Sequence, residues 1–243
     1  MALRSFSNGA LFAEVFGDGP AQVLALHGWG RRGSDFAKSL GDIPAIAPDL
    51  PGFGASPPPS EIIGADEYAD MIVEILDFFD EPPVLVGHSF GGRVAVCLAA
   101  RHPDRVGPLV LTGVPLIRHG STRRPQFGYR VMRWANSIGL VSDERIEREK
   151  KRRGSADYRN ADGVMRDILV KVVNESYEEQ LRHIEAPVTL LWGEDDTEVP
   201  VAVAEAASVL LADAELEVLV GVGHFVPVEA PDVLRRDVVE AMG

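Results

Sequence analysis

Cysteine is nearly absent from this chain: Cys97 is the only one in 243 residues. No intrachain disulfide can form, a zinc cluster built on cysteines is excluded, and a reducing compartment is the simplest setting. Long apolar runs are missing as well, since none reaches 18 residues, the length that a membrane-spanning helix needs. The first residues, MALRSFSNGALFAEVFGDG, lack both the apolar stretch and the small-residue cleavage site of a secretion signal. A soluble, cytoplasmic protein with no membrane partner is expected. Positive charge is scarce: 24 Lys and Arg stand against 37 Asp and Glu, a formal net charge of -13. Such a surface repels polyphosphate, which argues against general nucleic-acid binding. Repeats and low-complexity tracts are lacking too, apart from Pro57-Pro58-Pro59, expected to be a stiff surface loop.

What remains is a core-forming composition, 46% hydrophobic and 25% charged, in a chain long enough to bury most of its unfolded surface without covalent staples. Short runs rich in Val, Ile and Leu recur at Gln22 to His27, Ile43 to Ala47, Val84 to Val86, Val106 to Leu111, Val188 to Trp192 and Leu216 to Val220. Runs of this length read as buried strands. Between them lie helical patterns. Tyr68, Ile72, Ile75, Leu76 and Phe79 repeat at three- and four-residue intervals, and helices are also expected over Ser89 to Arg101, Val201 to Leu211 and Pro231 to Met242. Alternating strand and helix implies a mostly parallel sheet covered on both faces. Leu3 to Phe16, interrupted by Asn8-Gly9, reads as an antiparallel pair at one edge of it.

The strand pattern stops between Gly113 and His183. That segment holds 15 Lys and Arg against 10 Asp and Glu, while the rest of the chain holds 9 against 27. A basic insertion is thus set into an acidic body. For the densest stretch, Ser142 to Arg153, one reading is a solvated helix laced with i,i+4 ion pairs. The other is a cap that helps attract an anionic substrate.

Three segments carry chemistry. Val84-Leu-Val-Gly-His-Ser-Phe-Gly-Gly92 sets a G-x-S-x-G between an apolar strand and an apolar helix, where a sharp turn lifts the Ser89 hydroxyl to the carboxyl edge of the sheet. Side chains at Gly87 and Gly91 would collide in such a turn, and free amides at the helix start favour negative charge nearby. Leu24-Ala-Leu-His-Gly-Trp-Gly30 follows an earlier strand. Its Trp29 N–H and the Phe90 N–H are the candidate donors to an oxyanion, while His27 is expected to be structural. Leu219-Val-Gly-Val-Gly-His-Phe225 places His224 directly after the last strand on a glycine-rich loop, the setting a general base needs. His88 adjoins the serine but is expected to point elsewhere. The acid that orients the histidine belongs in Leu190-Leu-Trp-Gly-Glu-Asp-Asp-Thr-Glu-Val-Pro200, where Asp195 and Asp196 are nearly equal candidates.

Taken in order, HGWG at 27–30, DLPGFGAS at 49–56, GHSFGG at 87–92, WGEDDTEVP at 192–200 and GVGHF at 221–225 resemble the α/β-hydrolase superfamily, in its capped esterase, lactonase and C–C hydrolase branch. The resemblance spans nearly the whole chain. It implies an α/β-hydrolase fold, a mostly parallel, doubly covered sheet with a helical cap after the sixth strand. On that reading residues 1–112 and 184–243 form the core domain and 113–183 the cap. Family spacing puts the acid three residues after the glycine of the W-G segment, which selects Asp196. Serine at position 89 separates the chain from the epoxide hydrolases and haloalkane dehalogenases, whose nucleophile is a carboxylate. Arg93, in an S-x-G-G-R arrangement, resembles a feature of a cofactor-free lyase of menaquinone synthesis that has a basic pocket; the plainer reading is an arginine tied to a nearby carboxylate.

The expectation is therefore a serine hydrolase that cleaves an ester, thioester or lactone of a small-molecule substrate through an acyl-enzyme on Ser89, with Asp196 and His224 completing a triad and with no cofactor or metal. Two alternatives use the same scaffold. One is a C–C bond hydrolase or lyase acting on a carboxylated carbonyl compound; the other is a ligand-binding protein.

Overall fold

The computed structural model describes residues 2–118 and 156–243. Eight strands form one sheet in the order β1-β2-β4-β3-β5-β6-β7-β8. They are β1 (Ala2–Phe6), β2 (Leu11–Phe16), β3 (Val23–Leu26), β4 (Ala45–Asp49), β5 (Val84–His88), β6 (Leu109–Thr112), β7 (Val188–Gly193) and β8 (Ala214–Leu219). Only β2 runs against its neighbours, pairing antiparallel with β1 and β4. From β4 to β8 every pairing is parallel.

The central strands β3, β4, β5 and β6 are buried along their whole length, and the alternation of their side chains divides the interior into two cores. In β3, Leu24 and Leu26 belong to one core while Val23 and Ala25 belong to the other. In β5, Leu85 faces the first and Val84 and Val86 the second. This is the period-2 rule acting on a sheet with no solvent face. The first core is closed by α2 (Ala65–Ile72) and α3 (Phe90–Arg101), the second by α1 (Ala37–Leu40) and the helix Pro231–Met242. Burying each large aliphatic side chain contributes roughly 1.5–3 kcal/mol, so neither layer is dispensable.

Several boundaries differ from the sequence pattern for local reasons. The amphipathic stretch from Tyr68 is α-helical only to Ile72 and tightens to a 3-10 helix over Val73–Phe78. The three-residue turn keeps Ile72 and Ile75, both fully buried, on one face. The sixth strand starts at Leu109, not Val106, because Pro108 has no N–H to give to the ladder. The helix expected to reach Leu211 ends at Ser208. Pro57 and Pro58 are exposed as expected, whereas Pro59 is buried.

The segment expected to be an insertion follows β6, the sixth strand. Its described return comprises the helices Ala156–Asn160, Gly163–Val172 and Glu178–Arg182. Ile168, Leu169, Val172, Tyr177 and Leu181 join the first core, beside α2 and α3. The Ser142 to Arg153 run and most of the insertion's basic residues lie outside the described residues.

Candidate active site

The carboxyl ends of β3, β5, β6, β7 and β8 converge on one edge of the sheet, where a parallel α/β sheet offers its crevice. β5 delivers Ser89 as the residue immediately before α3, with φ 50° and ψ -113°. Ser7 and Ser89 are the only described non-glycine residues with positive φ, a conformation that costs of order 1–3 kcal/mol and must be enforced by its surroundings. The enforcement is steric. A Cβ on Gly91 would stand 2.1 Å from the Leu26 carbonyl oxygen, and one on Gly87 would stand 2.5 Å from Gly92 Cα. Only a chain without side chains there can bring α3 so close to β3 and bend so sharply into it.

His224 follows β8, and Asp196 follows β7. His224 Nδ1 donates to Asp196 Oδ2 at 2.8 Å, and Ser89 Oγ lies 3.1 Å from His224 Nε2. Since the carboxylate only accepts, the proton sits on Nδ1 and Nε2 is left as the acceptor for the serine hydroxyl. The second oxygen of Asp196 is occupied too: Oδ1 accepts from the amides of Glu198 and Val199, each at 2.8 Å. Asp196 is 6% exposed and His224 8%, whereas Asp195 is exposed to solvent. Of the two candidates left open by the residues, the geometry puts Asp196 against the imidazole.

Burial works against a charged His224. The hydrogen bond and charge of Asp196, with the carboxylates of Glu198 and Glu229 nearby, outweigh it and raise the pKa above the ordinary histidine value. Glu229 also fixes the loop, its two oxygens accepting from the amides of Gly223 and Phe225 at 2.8 and 3.0 Å.

The loop after β3 lies against the serine. A Cβ on Gly28 would stand 3.4 Å from Ser89 Cβ. Aromatic contacts tie this loop to the other motifs: Trp29 meets Phe90 at 5.2 Å and Phe53 at 4.9 Å, and Tyr68 meets Phe90 at 5.0 Å, all edge to face. Thus HGWG, DLPGFG and the turn at Ser89 form one cluster that carries the amides of Trp29 and Phe90. His27 is buried, donates from Nδ1 to the Gly28 carbonyl at 2.7 Å and accepts at Nε2 from Leu50 N at 2.9 Å. Burial lowers its pKa to about 4. Asp49 braces the same region by accepting from Gly33 N and Ala55 N.

Two neighbours of His224 were not expected from the sequence. Gly113, directly after β6, has φ 56°, and a Cβ there would lie 2.9 Å from both Nδ1 and Cε1 of His224 and 3.3 Å from Asp196 Oδ2. A glycine at a strand's carboxyl end is the available signal. His88 does not point away from the site as a whole: its ring centroid is 5.0 Å from that of His224. Its Nδ1 contacts Thr112 Oγ1 at 2.9 Å, and burial, aided by the charge of His224, holds its pKa down to about 3. It is a neutral, packed neighbour of His224.

Arg93 is 7% exposed; its guanidinium donates to the Val172 carbonyl at 2.5 Å and lies 5.8 Å from the Tyr177 ring centroid. It ties α3 to the return of the insertion. Among the described residues, no group of three or more His, Cys, Asp or Glu side chains is arranged to hold a metal ion, and no helix is long and apolar enough to cross a membrane.

Comparison with known proteins agrees with this architecture. The pattern of the Alpha/beta hydrolase family matches residues 23–237. Lipase LipV of Mycobacterium tuberculosis is 45% identical over 112 residues, 44% of this chain and 42% of that one. The 2-hydroxy-6-oxo-2,4-heptadienoate hydrolase of Pseudomonas putida is 31% identical over 201 residues, 76% of this chain and 72% of that one. The chain spans about half the length of the first curated relatives that it matches. Among solved structures, a serine hydrolase involved in carbazole degradation superposes with a TM-score of 0.74 at 20% identity, over 99% of this chain and 98% of the other.

Proposed function

Because this chain belongs to the Alpha/beta hydrolase family, we propose that it is a serine hydrolase in which Ser89, His224 and Asp196 act as nucleophile, base and orienting acid on a small carboxylic ester, thioester or lactone. The observation that carries this reading is the unbroken hydrogen-bonded chain Ser89–His224–Asp196, with the serine held in a strained turn at the sheet edge. His224 Nε2 takes the Ser89 proton as Oγ attacks the scissile carbonyl carbon. The Trp29 and Phe90 amides receive the oxyanion, and collapse expels the alcohol, thiol or ring oxygen, protonated by His224. Water then attacks the acyl-enzyme, giving its proton to the same nitrogen, and the acid leaves with Ser89 restored. Asp196 stays ionised throughout and stabilises the imidazolium.

The division into a core of residues 1–112 and 184–243 and a cap of 113–183 is part of this reading, supported by the way the described return packs beside α2 and α3. C–C bond cleavage of a carboxylated substrate is the second reading, favoured by the likeness to the 2-hydroxy-6-oxo-2,4-heptadienoate hydrolase; Arg93, the cation of the lyase-like arrangement, is engaged by Val172 and Tyr177. The test is labelling with a fluorophosphonate probe together with turnover of short-chain esters and lactones. Native protein is expected to label and turn over, and Ser89→Ala to do neither. Equal labelling of both proteins removes Ser89 from its role, and tight binding of the substrates without turnover favours a ligand-binding protein.

A further inference from the structure

Glu198 has no part in the reaction described above, yet it stands beside the reacting atoms. Its Oε2 lies 3.8 Å from His224 Nε2, the nitrogen that faces Ser89 Oγ. The side chain is 57% exposed, but its backbone is pinned. The amides of Glu198 and Val199 both donate to Asp196 Oδ1, and Trp192 Nε1 donates to the Val199 carbonyl at 2.8 Å. The carboxylate that orients the ring at Nδ1 therefore also fixes the residue that approaches Nε2.

That edge of the imidazole is where a leaving oxygen must arrive to be protonated, so Glu198 borders the leaving group more closely than the acyl group. The other charged groups around His224 come from several elements. Asp157, on Ala156–Asn160, is near enough for its charge to interact with that of His224. Glu229 ends the short helix Val226–Glu229 and accepts from the amides of Gly223 and Phe225 on either side of His224. Arg31 is 5.0 Å from the Phe225 ring centroid and is paired with Asp35 at 2.5 Å. His88 is packed beside the base. Among the described residues, carboxylates prevail at this edge, in contrast to the basic composition of the insertion.

We propose that Glu198 sets the charge preference of the leaving-group side of the site, favouring an alcohol portion that is neutral or carries an ammonium, and disfavouring one that carries a carboxylate. The proposal rests on the serine-hydrolase reading and adds the substrate class to it. Unit charges about 4–5 Å apart in a largely aqueous setting correspond to roughly three- to tenfold in kcat/KM per charge. The interaction is screened by salt.

The test uses three butyrate esters that share one acyl group, of choline, of its neutral isostere 3,3-dimethylbutanol, and of 3-hydroxypropionate. Native protein is expected to prefer them in that order in kcat/KM, with the spread narrowing as ionic strength rises. Glu198→Gln is expected to compress the order by roughly three- to tenfold per charge. Asp195→Asn, which removes an exposed charge from the same loop, is expected to keep the order. With the neutral ester, the acid limb of kcat/KM should move to lower pH in Glu198→Gln, because one of the charges favouring the imidazolium is gone. An unchanged order in Glu198→Gln, an equal loss on all three esters, or an unmoved acid limb overturns the proposal. Turnover that depends on Ser89 but shows no charge order defeats this inference alone. Absence of both fluorophosphonate labelling and ester turnover in native protein defeats the serine-hydrolase reading and this inference with it.

Discussion

The turn that carries Ser89 and the two loops that carry Asp196 and His224 lie at the same sheet edge but are held by different forces. At the turn the constraint is exclusion: Gly87 and Gly91 sit where any Cβ would overlap neighbouring backbone, and the strain at Ser89 is sustained by apolar packing of α3. At the loops the constraint is polar. Both oxygens of Asp196 and both oxygens of Glu229 accept hydrogen bonds, and together they set the position and charge affinity of His224. A site built this way places its serine by shape and its histidine by electrostatics, so substitutions in the two regions should fail differently.

The largest expected effect lies within the polar region. Asp196→Asn should lower kcat by about 10⁴-fold with little loss of fold, as removal of the orienting carboxylate does in a serine triad. Asp195→Asn should leave kcat within a few-fold, and the reverse ranking, read from steady-state kinetics, would move the acid to Asp195. Next comes the contact that joins the regions. Gly113→Ala presses a methyl onto the His224–Asp196 pair and should lower kcat by roughly 10²-fold, as an ångström-scale misplacement can. Gly91→Ala should instead show as lost stability, of about 3 kcal/mol or more, from overpacking against backbone that cannot yield. A denaturant melt beside an activity assay separates the two outcomes.

Proton linkage gives a subtler contrast. His27 and His88 have folded pKa values of about 4 and about 3, below the ordinary 6.5. As pH falls below 6.5 the unfolded chain takes up these protons first, so the stability present above that pH should decline toward pH 4 and below, at about 1.4 kcal/mol per pH unit for each histidine. His224 has the opposite sign. Its raised pKa contributes stability that is complete below 6.5 and is lost as pH rises through the folded value. Because the base must be neutral, kcat/KM should rise with pH through a midpoint above 6.5; a midpoint below it would mean that burial outweighs the carboxylates. The smallest effect is expected at Thr112→Val, which removes the Thr112 Oγ1 contact from His88 Nδ1 and should cost about 1 kcal/mol with activity nearly retained.

The order of strand and helix, the edge pair at residues 2–16 and the turn at Ser89 were legible in the sequence because each depends on neighbours in the chain: apolar runs, a hairpin signal, and glycines flanking a serine between strand and helix. Local spacing likewise placed His224 after the last strand. It could not decide between Asp195 and Asp196, which are adjacent carboxylates on one loop and differ only in which one meets a ring 28 residues further along. Nor could it find Gly113, His88 or Glu198 as neighbours of His224, since they arrive from β6, from β5 and from the loop after β7.

The sequence by itself determined a two-faced sheet and the residue types available at its carboxyl edge, because periodicity and steric allowance are properties of short segments. The tertiary structure put Asp196, the residue that family spacing selects, against Nδ1 of the histidine, and it alone showed which carboxylate confronts the other nitrogen. Charge and hydrogen bonding act over a few ångströms in space, and the parallel pairing of β5, β6, β7 and β8 brings together side chains that the chain itself keeps far apart.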